Sequence, residues 1–105
     1  MTWDWTYFLW TSGTFTASVT LALEPTQNYV VTGYLTQTNG GDYAHVYIAM
    51  VCTINGDQQL CGVRDDGNDG SLNIVEVLPS GASSVTINLK TTGGNHRAEG
   101  VIWQL

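Results

Sequence analysis

The sequence predicts an all-β fold: a two-sheet antiparallel β-sandwich, jelly-roll-like, with seven to eight strands. Short runs that alternate apolar and polar residues recur along all 105 residues, each bounded by Gly, Asn, Asp or Pro. No window of about 11 residues or more keeps a helical period free of Gly or β-branched crowding. Hydrophobic residues make up 43% of the chain, enough for one core without metal or disulfide support. With no Pro-rich or charged run to serve as a linker, residues 1–105 read as a single β-sandwich domain.

Taken in order, the first element is residues 3–10. Trp3, Trp5, Tyr7 and Leu9 alternate there with Asp4, Thr6, Phe8 and Trp10, so even the second face is half aromatic. Residues 14–24 alternate strictly, with Phe15, Ala17, Val19, Leu21 and Leu23 on the dry face. Residues 29–37 form another β-rich run, and Thr38-Asn39-Gly40-Gly41-Asp42 is a turn by its tolerance of positive φ. Residues 43–54 are apolar on both faces, which predicts a central strand. Strands at 58–63 and 72–78 flank the polar loop 64–70. Pro79-Ser80-Gly81 fits a type I turn into a strand carrying Val85, Ile87 and Leu89, and Thr92-Gly93-Gly94-Asn95 leads to a last strand at 98–105. Trp103, between Ile102 and Gln104, reads as core.

Composition narrows the classes of function. Charged residues are 11% of the chain against about 25% in typical domains, so the surface is polar but mostly neutral. Nine acids against three bases give a net charge of −6, the wrong sign for a phosphate backbone, so nucleic acid is not an expected partner. No apolar run is long enough to span a bilayer as a helix. The N-terminus lacks a signal-peptide pattern, which reads as an intracellular protein or as a mature form with an added Met1.

Cys52 and Cys61 admit two registers. A Gly56-Asp57 type II′ turn sets them face to face in a non-hydrogen-bonded pair, close enough for a disulfide, and a bridge would place the protein outside the cell, secreted or at the cell surface. An Asn55-Gly56 type I′ turn instead puts Cys52 opposite Gln59 and leaves two small buried thiols.

Asp65, Asp66, Asn68 and Asp69 concentrate hard oxygen donors that suit calcium, the one cofactor the sequence suggests. An EF-hand is excluded: Gly67 falls at ligand position three, and the flanks read as strands. An Asp/Asn/Gly run also serves simply as a solvated turn. His45 and His96 lack metal-ligand spacing, and no Ser elbow, phosphate loop or Cys-His signature is present, so no enzyme is expected.

Trp3, Trp5, Trp10 and Tyr43 offer flat faces for stacking, while His96 and Arg97 follow a Gly-Gly-Asn turn and can present hydrogen-bond donors. Surplus aromatics on a neutral amide and hydroxyl surface lead to the expectation of a lectin-like domain that binds glycans, although no family motif matches residue by residue. The alternative is a structural or assembly subunit of coat, fibre or toxin type, with the Trp-rich first strand as a homo-oligomer interface.

Overall fold

The computed structural model describes residues 1–8, 14–37, 46–65, 71–92 and 95–105. They form eight strands: β1 (Thr2–Phe8), β2 (Thr14–Ala22), β3 (Tyr29–Gln37), β4 (Val46–Ile54), β5 (Asp57–Asp65), β6 (Ser71–Val77), β7 (Ala82–Thr92) and β8 (Asn95–Gln104). Two four-stranded sheets result, ordered β1-β8-β3-β6 and β2-β7-β4-β5, and every pairing is antiparallel. First strand pairs with last, and the chain crosses between sheets on its way, which is the double Greek key of a jelly roll. The expected sandwich is therefore observed, and β4 takes the interior position that its two apolar faces predict. Among the described residues no helix is long and apolar enough to cross a membrane.

The core fills from the inner faces by the period-2 rule. One sheet supplies Val31, Leu35, Leu72, Ile74, Ala98 and Ile102; the other supplies Val46, Ile48, Met50, Cys52, Val85, Ile87 and Leu89. Trp3 joins them at 2% exposure. Its register partner is Gly100, and Gly33 lies beside Gly100 on β3. A Cβ at either glycine would overlap the Trp3 ring and neighbouring backbone, so the two glycines make the space the indole fills.

Described turns follow residue chemistry. Glu24 accepts from the Gln27 amide at 3.0 Å around Pro25, and Gly81 takes φ 86° after Pro79. Asn55 and Gly56, at φ 51° and 83°, are the positive-φ pair of a type I′ hairpin. Cys52 accordingly stands opposite Gln59, so the face-to-face register needed by the Gly56-Asp57 turn is not the one adopted. The ladder then shifts between Met50 and Val51, leaving Cys61 as the extra residue of a β-bulge. That bulge returns Cys61 to its partner: the two thiols hydrogen-bond each other, and both are free.

Candidate functional site

The outer face of the β1-β8-β3-β6 sheet is built from the residues that alternate with the core set. Across β8 it carries Arg97, Glu99, Val101 and Trp103; across β3, Val30, Thr32, Tyr34 and Thr36; across β6, Asn73, Val75 and Val77. Thr2 and Asp4 of β1 continue it past Val101 and Glu99. Register sets Trp103 and Val77 on either side of Val30, and Glu99 and Asn73 on either side of Tyr34. One end of the face is thus apolar and the other polar.

At the apolar end Trp103 is 53% exposed, with Val75 at 64% and Val77 at 69%. The Trp103 Nε1 donates to Thr32 Oγ1 at 2.8 Å, and Thr32 Oγ1 donates to the Val101 carbonyl at 3.4 Å. These bonds fix the indole against the sheet, so the ring needs little further ordering to act as a stacking surface. The reading of Trp103 as core is thereby corrected. Gly100, three residues earlier and on the inward face, hides the true core phase of β8, because a glycine shows no apolar side chain to the pattern.

At the polar end, the Tyr34 hydroxyl donates to Glu99 Oε1 at 2.5 Å, and Arg97 donates to Glu99 Oε2 at 2.9 Å. The Tyr34 hydrogen bond, followed by the Arg97 guanidinium, holds the Glu99 carboxyl below its ordinary value. Reciprocally, the hydrogen bond to Glu99 pushes the Tyr34 hydroxyl up, and Arg97 is raised mainly by the same carboxylate. A shallow depression of about 300 Å³ lies between these groups, lined by Thr2, Thr32, Tyr34, Glu99 and Val101 over the Gly33–Gly100 floor. A somewhat larger hollow, about 370 Å³, lies on the other sheet at Ser18, Tyr47, Asn88 and Lys90. Its aromatic ring is half-buried and no side-chain hydrogen bond organises it among the described residues, so the smaller depression is the better-built surface.

Of the residues expected to contact a ligand, Arg97 lies on this face. Trp3 and His96 do not: both point inward and are buried, Trp3 over its glycines and His96 at 0% exposure, which corrects their expected role as surface contacts. Trp5 pairs with Ala98 in the ladder. Trp10, Tyr43, Asp66, Asn68 and Asp69 lie outside the described residues, while Asp65 ends β5 and is exposed. Among the described residues no group of three His, Cys, Asp or Glu is placed to hold a metal ion. Sequence reasoning did not bring Tyr34, Glu99 and Trp103 together on one face. The available signal was three neighbouring strands, each with outward aromatic or β-branched residues opposite an already sufficient core face.

The fold is similar to that of the carbohydrate-binding module TmCBM61, solved in complex with β-1,4-galactotriose, with a TM-score of 0.61 at 12% identity over 95% of this chain and 69% of that one. It is also similar to the enzymatically active domain of tailspike protein 4 from bacteriophage CBA120, with a TM-score of 0.56 at 13% identity over 97% of this chain and 15% of that one. At these identities the likeness is one of fold. No protein-family model matches the sequence, and no curated protein is similar to it.

Proposed function

We propose that this chain is a carbohydrate-binding domain whose sugar platform is the outer face of the β1-β8-β3-β6 sheet. The observation that carries the reading is the half-exposed Trp103 ring, locked by Thr32 and continuous with the Tyr34–Glu99–Arg97 network. Sugar rings pair one apolar face with a rim of hydroxyls. An indole beside a cluster of oriented acceptors and donors matches both at once. Similarity of fold to a carbohydrate-binding module supports the same reading.

Binding without catalysis is the form we infer. A glycoside-cleaving acid needs a carboxyl raised toward neutral pH, and Glu99 is shifted the opposite way. We further infer a secreted or surface setting, in which the bulge-apposed Cys52 and Cys61 close into a disulfide; an intact mass two hydrogens lighter under non-reducing conditions checks this. A glycan array probed with the wild type and with Trp103→Ala tests the main reading. Selective retention that Trp103→Ala abolishes supports it, and a blank array with folded protein overturns it.

The second reading, an assembly subunit, is favoured by the run of Trp103, Val75 and Val77, all more than half exposed on one face. It predicts a concentration-dependent mass in sedimentation that Val77→Asp lowers, and a blank glycan array.

A further inference from the structure

The donor and acceptor inventory of the platform goes further than the class of ligand. We infer that the site selects uncharged glycan chains and discriminates against anionic ones bearing uronate or sulfate groups, an inference that rests on the carbohydrate reading above. The Tyr34 proton is committed to Glu99, so its oxygen faces a ligand as an acceptor. Glu99 receives one hydrogen bond on each oxygen and keeps further lone pairs for others. Asp4, exposed on β1, is the register neighbour of Glu99 and adds a second carboxylate.

Against these stands Arg97, whose charge is already matched by Glu99 at 2.9 Å and which also feels Asp4. Two carboxylates and one guanidinium leave the polar end acceptor-rich and net negative, within a chain of net charge −6. Hydroxyl groups satisfy such a surface because each brings a proton to donate. A carboxylate or sulfate brings only lone pairs and negative charge, and so meets net repulsion from Glu99 and Asp4 while the Arg97 charge is already matched by Glu99.

Position on the face adds an orientation. Trp103 and Glu99 are four residues apart on one strand, roughly 13 Å at the rise of an antiparallel strand. The chain therefore lies along β8, with one ring stacked on Trp103 and a later unit offering its hydroxyls to Glu99 and Tyr34.

The test uses β-1,4-linked galacto-oligosaccharides and the same oligosaccharides oxidised at C6 to uronic acids, titrated by calorimetry into the full chain at low and at high salt. The neutral chain is expected to bind, and the oxidised chain to bind about fivefold more weakly at low salt, with the gap closing at high salt as the charges are screened. Asp4→Asn is expected to narrow the gap by about half. Equal or tighter binding of the oxidised chain overturns the inference and leaves the carbohydrate reading standing. Should neither chain bind nor any other glycan be retained on an array, both fall.

Discussion

Trp3 and Trp103 belong to neighbouring regions of one sheet yet face opposite ways. Trp3 lies inward over Gly33 and Gly100 at 2% exposure, while Trp103 lies outward, 53% exposed and tethered to Thr32. The inner region is a packing problem, solved by removing two side chains so that a third can fit. The outer region is a positioning problem, solved by hydrogen bonds that hold a ring where solvent can reach it. The same residue type therefore carries stability on one face and, on the proposed carbohydrate reading, recognition on the other, and substitutions should separate the two.

Trp3→Ala should give the largest effect. Emptying a buried indole from the core costs about 3–5 kcal/mol, read as a lower denaturation midpoint in urea with little change in slope. Gly100→Ala attacks the same fit from the other side, because the new methyl overlaps both the Thr32 carbonyl and the Trp3 ring. A loss of about 3 kcal/mol is expected by overpacking, and a much smaller loss would show that the indole can move aside.

Trp103→Ala should invert the pattern. Stability is expected to change by no more than about 1 kcal/mol, whereas glycan affinity drops about tenfold. Equal damage to both properties would erase the distinction between the two faces.

Acidification sharpens the outer region alone. Glu99 is depressed below its ordinary 4.5, so its contribution is fully present above that value and is lost only as pH falls through the lower folded value. Glycan affinity should accordingly hold from pH 7 past about 4.5 and fall only as pH drops through the lower folded value. An early loss near pH 6 would implicate some other group.

The smallest predicted effect concerns the reduced cysteines. Burial pushes Cys52 up to about 12, with the Cys61 thiol adding to the rise; Cys61 is raised by burial and then by Glu76, against a lowering hydrogen bond from Cys52. Alkylation at neutral pH should be slow and should reach the half-buried Cys61 first, and Glu76→Gln should quicken it modestly, as followed by intact mass.

The two tryptophans also show what was legible beforehand. Strand existence, the central place of β4 and the sandwich followed from alternation and turn residues alone. The faces of β1 and β8 did not, because the inward set of β8 reads His96, Ala98, Gly100 and Ile102, small or polar, until the Trp3 ring is known to fill the gap above Gly100. That complementarity joins residues at opposite ends of the chain, and no local window contains it. Likewise Asn55-Gly56 offered the type I′ turn as only one of two registers, and the bulge at Cys61 depends on how β5 sits against β4. Tyr34 and Glu99 come together only through the β3–β8 ladder.

Pairing β1 with β8 has a kinetic corollary. The hydrogen bonds between Met1 and Ile102 close almost the whole chain into one loop, and the platform itself draws on β3, β6 and β8. Loop-closure entropy must be met before those contacts repay it, so folding should be slow, in the range of milliseconds to seconds usual for sandwiches of non-local topology. Of the eight strands β8 is synthesised last, so the face carrying Trp103 cannot assemble before the other seven have been made.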